Sequence, residues 1–173
     1  MHLEVIISES AFISMVTAAV ETFPNETLGV LIGLRKKEKM IIQLATAYQT
    51  ARRSEDQVEV HPRLSDRMDV FLKKVTHLEI VGDFHSHPEI NVDKISSVRL
   101  SSVDKASMIP NRIGIVLAID KDGRQLEWKH LPKGSLKGSV SPYTLKITTW
   151  LKTSENQYRV AKNFCPFALG IGR

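Results

Sequence analysis

The sequence predicts an α+β fold in which a curved mixed β-sheet is flanked by helices. Three observations carry that expectation. Short apolar runs bounded by turn residues recur along the chain, and two stretches repeat their apolar residues at i, i+3, i+4 spacing. One run, Ile113 to Ile119, is apolar on both faces, as a buried central strand is. The 173 residues, 42% hydrophobic and 25% charged, suffice for one domain with a real core but not for two large enzymatic domains.

The elements follow in order. Leu3 to Ile7 reads as a short strand, after which Ser8 or Ser10 caps a helix with the apolar stripe Phe12, Met15, Val16, Ala19, Val20 and Phe23. Pro24 and Asn25 stop that helix. Thr27–Leu34 and Met40–Ala47 are apolar runs on either side of the charged stretch Arg35 to Lys39, the pattern of a hairpin with an exposed turn. Gln57 to Val60 reads as a further strand, and Ser65 caps a second helix with Met68, Phe71, Leu72 and Val75 inward. Leu78 to His87 alternates with a period of two, and Pro88, which cannot donate to a ladder, ends it.

Residues 89–100 read as a polar loop, and Ser101 or Ser102 caps a short helix running to about Ile109. Ile113–Ile119 and Gln125–Leu131 read as a hairpin through Asp120 to Gly123. Lys133 to Ser141 reads as a loop, Tyr143–Leu151 as a strand and Ser154–Phe164 as a short helix.

Composition excludes several function classes. No window approaches eighteen apolar residues, so no membrane helix is expected. The N-terminus lacks a basic region followed by an apolar one, which makes the cytoplasm the expected address. The single Cys165 forms no internal disulfide and no cysteine-based metal ribbon exists, so any metal must be held by histidine and carboxylate. The net charge of +5 is uneven: residues 121–173 hold ten Lys and Arg against three Asp and Glu, a net +7. Without a dense polybasic run, a solvated basic face is expected there rather than a nucleic-acid interface.

Chemistry concentrates at residues 81–87. Alternation sends Val81, Asp83, His85 and His87 to one side and Ile80, Gly82, Phe84 and Ser86 to the other. Two imidazoles at i and i+2, where a strand ends, can give two nitrogens to one Zn²⁺ at a sheet rim. A third, oxygen ligand is then needed. Asp104, in the first turn of the expected short helix, is the leading candidate, with Glu89 and Asp93 as rivals.

The run Val81-Gly82-Asp83-Phe84-His85-Ser86-His87-Pro88, followed by Leu100-Ser101-Ser102-Val103-Asp104 and preceded by Glu26 before an apolar strand, resembles the signature of the JAMM/MPN (Mov34/PAD1-like) zinc metalloproteases. The likeness covers roughly residues 3–131. It implies a cytidine-deaminase-like MPN architecture, with a catalytic domain over 1–132 and a basic extension, 133–173, packed on it or trailing it. One departure stands out: sixteen residues separate His87 from Asp104, about six more than such proteins usually have, and loop insertions are thermodynamically cheap.

The resemblance implies that His85, His87 and Asp104 hold Zn²⁺, that Glu26 is the general base and acid, and that Ser101 donates to the oxyanion. The activity it implies is isopeptidase hydrolysis of the amide between the C-terminus of ubiquitin, or a ubiquitin-like modifier, and a lysine. Modifier conjugates are then the partners, with subunits of a proteasome-like or other complex beside them. Two alternatives remain open: a non-catalytic MPN scaffold, and a peptidase that processes the tail of a sulfur-carrier-like protein.

Overall fold

The computed structural model describes residues 3–49, 52–53, 58–59, 63–75, 77–89, 96–155 and 157–171. The expected residues Gln57, Val60 and Asp93 lie outside these. In chain order the elements are β1 (Glu4–Ile7), α1 (Glu9–Thr22), β2 (Leu28–Arg35), β3 (Lys39–Ala47), β4 (Arg52–Arg53), β5 (Val58–Glu59), α2 (Arg63–Val75), β6 (Glu79–Pro88), α3 (Ser102–Ser107), β7 (Ile113–Asp120), β8 (Lys129–His130), β9 (Leu136–Val140), β10 (Tyr143–Ser154), β11 (Gln157–Phe164) and α4 (Pro166–Gly170).

Seven strands hydrogen-bond in the ring β1-β3-β2-β6-β7-β10-β11 and back to β1, with β9 and β8 continuing from β10. The result is a closed barrel in a mostly β chain with few helices. This overturns the expected helix-flanked curved sheet of MPN type. The reason lies in residues 157–164, expected as a helix. They form β11, which pairs antiparallel with β10 and parallel with β1 and so joins the two ends of the sheet. Ala161 and Asn163 turn inward and are buried while Lys162 between them is exposed, a period of two rather than 3.6.

Two further expectations fail for a related reason. The hairpin over 113–131 does not form: β7 pairs parallel with β6 and antiparallel with β10, and residues 121–128 are irregular. The polar stretch taken for a loop contains β9, where Leu136 is fully buried and Lys137 points outward. Residues 133–173 thus supply three strands of the same sheet.

The interior holds one apolar cluster. Val5 and Ile7 of β1, Leu31 of β2, Met40 and Ile42 of β3, Phe84 of β6 and the odd-numbered isoleucines and leucine of β7 meet Phe12, Met15, Val16 and Ala19 of α1. Ser8 caps α1 by accepting the Ala11 N–H at 3.2 Å, as its sequence predicted. Gly29 is required by packing, because a Cβ there would overlap the Phe84 ring and the Thr46 carbonyl. The helix α2 begins at Arg63, before the predicted cap Ser65, and buries Leu72 against Val30, Ile32 and Ile80. Phe71, expected inward, is 61% exposed.

The alternation of β6 holds with one interruption. Leu31 pairs with Gly82 and Ile32 with Ile80, so Val81 is an extra residue in a bulge and turns into the core instead of standing with the histidines. Ile80 accordingly faces α2 on the outside. Beyond the bulge Phe84 and Ser86 are inward, and Asp83, His85 and His87 share the outer face.

Candidate metal centre

The centre is built on the outer face of β6 and completed by the segment that carries α3. His85 is paired with Leu28 of β2 and with Val116 of β7, so its backbone is fixed on both sides. Its Nε2 lies 3.1 Å from His87 Nε2. Asp104 reaches both: Oδ1 is 3.3 Å from His85 Nε2, and Oδ2 is 3.5 Å from His87 Nε2. One ligand atom from each of the three residues falls within a 4.8 Å spread, a group able to hold a metal ion.

The orientation of His87 is set by its other nitrogen. Nδ1 lies 2.7 Å from the Ser97 carbonyl oxygen. A carbonyl only accepts, so Nδ1 carries the proton, and in the neutral ring Nε2 keeps its lone pair directed at Asp104 and His85. Backing a ligating imidazole with a carbonyl acceptor is the usual way a metal site fixes the tautomer.

Asp104 occupies the third position of a capping box on α3. Its backbone N–H donates to Ser101 Oγ at 3.1 Å, and its Oδ2 accepts the Ser101 N–H at 2.6 Å. The same pairing that starts the helix therefore aims the carboxylate at the histidines. Burial would raise the Asp104 carboxyl. Hydrogen bonds that the His85 and His87 rings donate when protonated, the His85 charge and the Ser101 N–H overcome it and hold the group well below the usual carboxylate range. Burial would lower the His87 imidazole, but hydrogen bonds to Asp104 and Ser97 and the negative charges of Asp104 and Glu26 raise it instead.

The other expected residues fall as follows. Glu26 is half-buried next to Thr27, whose N–H donates to Ser86 Oγ at 2.8 Å and whose carbonyl accepts the Ser86 N–H at 3.0 Å. That reciprocal pair ties the residue after Glu26 to the residue between the two histidines, and the Glu26 charge acts on His87. Ser101 is exposed, and because its oxygen accepts the Asp104 N–H its own proton remains available to donate. The rival Glu89 is turned away: its carboxylate accepts the Lys121 N–H at 3.2 Å.

Two contributors were not singled out from sequence. Ser97 acts through its backbone, which no residue type signals. Asp83 lies on the histidine face as alternation predicted, but its depth is a property of the fold. Burial, and secondarily the Asp104 charge, push it up to about 6 against the opposing effects of His85 and Arg112. The segment that brings Asp104 over the sheet is itself held by the C-terminal strands. Trp150 Nε1 donates to Val98 O at 2.8 Å, Lys152 Nζ to Met108 O at 3.1 Å, and Tyr158 Oη to Lys105 O at 2.9 Å. Beneath it Leu100 and Met108 pack on Val116.

Comparison with known families covers the first half of the chain. Residues 8–92 match the family model of prokaryotic homologs of the JAB domain, a stretch that contains Glu26, His85 and His87 and ends before Ser101 and Asp104. Over that stretch the chain is JAB-like. No curated protein matches it. Among solved structures, the solution structure of protein DSY2949 from Desulfitobacterium hafniense is similar at a TM-score of 0.66 and 16% identity, covering 93% of this chain and 92% of that one. At that identity the likeness concerns the fold. Among the described residues no helix is long and apolar enough to cross a membrane.

Proposed function

We propose that this protein is a zinc-dependent isopeptidase that hydrolyses the amide between the C-terminus of ubiquitin or a ubiquitin-like modifier and a lysine. The observation that carries the reading is the convergence of His85, His87 and Asp104 within 4.8 Å. Two nitrogens and one carboxylate oxygen suit Zn²⁺, and three protein ligands leave a position for water or substrate, as catalytic zinc requires. The Ser97 carbonyl behind His87 adds the supporting contact such a site needs. When bound, zinc supplies a Lewis acid that polarises a carbonyl and brings the pKa of water to about 7.

The chain's own residues account for the remaining chemistry. The Glu26 carboxylate takes a proton from the attacking water as its oxygen bonds to the scissile carbon, and returns that proton to the amine nitrogen as the C–N bond breaks. Amide cleavage needs this transfer because an unprotonated amine leaves poorly. The Ser101 hydroxyl, its oxygen already engaged by the Asp104 N–H, directs its proton to the oxyanion.

The test is incubation of the zinc-loaded chain with di-ubiquitin and with modifier–lysine conjugates, with and without chelator, alongside Glu26→Gln. Metal-dependent cleavage that Glu26→Gln lowers by about 10²–10⁴-fold, at unchanged zinc content, is expected. Full zinc loading with no cleavage of any conjugate would favour the scaffold reading instead.

A further inference from the structure

The barrel wall has an opening. β1 is four residues long and β3 nine, and β1 pairs with β3 only from Lys39 to Ile42. The chain then turns into α1, with the Ser8 N–H bonded to Ile42 O and Ser8 Oγ to Gln43 O. Among the described residues, no strand fills the lane beside β3 from Leu44 onward.

The register identifies which groups face that lane. Tyr48 N–H donates to Leu28 O, which makes the pairs Leu28–Tyr48 and Val30–Thr46 the hydrogen-bonded ones. Ala45 and Ala47, opposite Leu31 and Gly29, therefore direct their N–H and C=O groups away from β2. Among the described residues neither has a partner on that side, although Ala45 is 7% exposed. Alongside runs a groove of about 790 Å³ lined by Ser14, Thr17, Ala18 and Glu21 of α1, by Ala45 to Ala47, and by Thr27. Thr27 is completely buried, and its Oγ1 has no hydrogen-bond partner.

We propose that this groove binds an extended polypeptide segment of a partner protein, which continues the lane of β1 and adds to the edge of β3. Two donors and two acceptors repeating every second residue match another extended backbone and no compact ligand. The alanine floor selects small side chains on the inward face of the added strand. Glu21, the one ionisable residue in the wall, favours a neutral or basic segment. The Thr27 hydroxyl caps the end of the lane. The site lies on the α1 side of the sheet, away from the face that carries His85 and His87.

The probe is the acetylated, amidated hexapeptide Lys-Val-Ala-Val-Ala-Lys, titrated into the full chain and followed by amide hydrogen exchange. We expect slowed exchange at the Ala45 and Ala47 amides, unaffected by chelator. Thr17→Trp, on the exposed face of α1, fills the groove and should weaken binding at least tenfold. Ala47→Pro removes an outward donor without removing a bond to β2 and should do the same. Protection of both amides lost in Thr17→Trp, and of the Ala45 amide in Ala47→Pro, supports the site. Absence of protection at millimolar peptide, or binding that Thr17→Trp leaves unchanged, overturns it.

Discussion

Trp150 of β10 donates its indole N–H to the Val98 carbonyl at 2.8 Å, and so fastens the loop that presents Asp104 to the barrel strand two places from His85. The adjoining carbonyl, that of Ser97, is the acceptor of His87 Nδ1. A single short segment thus supports one ligand through its backbone and delivers another through its helix. Its position is decided by a strand distant in sequence.

Trp150→Phe keeps the ring packed on this loop and deletes the hydrogen bond. We expect zinc affinity to fall roughly tenfold, the low end of what supporting contacts around a metal site are worth, with far-ultraviolet circular dichroism unchanged. Competition against a chromophoric chelator measures it. An affinity within twofold of the parent would show that Leu100, Met108, Lys152 and Tyr158 hold the loop without Trp150.

This dependence explains what was legible in the sequence. The shared face of Asp83, His85 and His87 was readable because alternation along β6 survives beyond the bulge, and Asp104 because a carboxylate in the first turn of the expected short helix is favoured there. The bulge was not readable. Val81 leaves the expected face because Ile32 pairs with Ile80 and Leu31 with Gly82, and register is a relation between strands rather than a property of one. Barrel closure escaped for the same reason. Residues 157–164 mix polar and apolar side chains, and their buried Asn163 reads as a surface residue until its partners are known.

Zinc binding should be linked to proton release. Hydrogen bonding and nearby carboxylates raise His87, so the metal-free site binds a proton more tightly than an isolated imidazole would. Zinc needs the neutral ring. The apparent affinity should therefore rise with pH up to the raised His87 value and level off above it. Calorimetry in two buffers of different ionisation enthalpy should register net proton release near neutrality. Asp104→Asn should lower the proton affinity of His87 and remove most of the zinc affinity. Affinity independent of pH between 5.5 and 7.5 would contradict the assignment of His87 as a ligand.

Asp83 makes a separate prediction for the metal-free chain. Its carboxyl is raised to about 6 in the fold, by burial first, while an unfolded aspartate titrates near 3.9. The folded state thus holds this proton more tightly. Its contribution to stability is fully present below about pH 4 and is lost as pH rises through about 6, on the order of 3 kcal/mol in all. Asp104 works in the opposite sense, its contribution present above its unfolded pKa and lost on acidification, so total stability is not diagnostic. The difference between parent and Asp83→Asn is. Urea midpoints from pH 4 to 7.5, with chelator present, should show the variant gaining on the parent as pH rises. Parallel profiles would mean that the fold does not raise the Asp83 carboxyl.

Barrel closure depends on Asn163, a completely buried amide on β11. Its side-chain oxygen accepts the Thr149 hydroxyl at 2.5 Å, its Nδ2 donates to Ile147 O at 3.3 Å, and its backbone N–H donates to Gly134 O at 2.9 Å. Asn163→Ala leaves the Thr149 hydroxyl unpartnered in the interior. With about 1–3 kcal/mol for such a group, a loss of that order is expected in a urea unfolding curve. Asn163→Asp keeps the acceptor but replaces the Nδ2 donor with a carboxylate oxygen, so it should be most damaging above neutral pH, where a buried ionised carboxylate is costly. Because β11 also supplies Tyr158 to the α3 loop, zinc affinity should weaken together with stability. Loss of stability with zinc affinity unchanged would show that the metal centre stands without the closing strand.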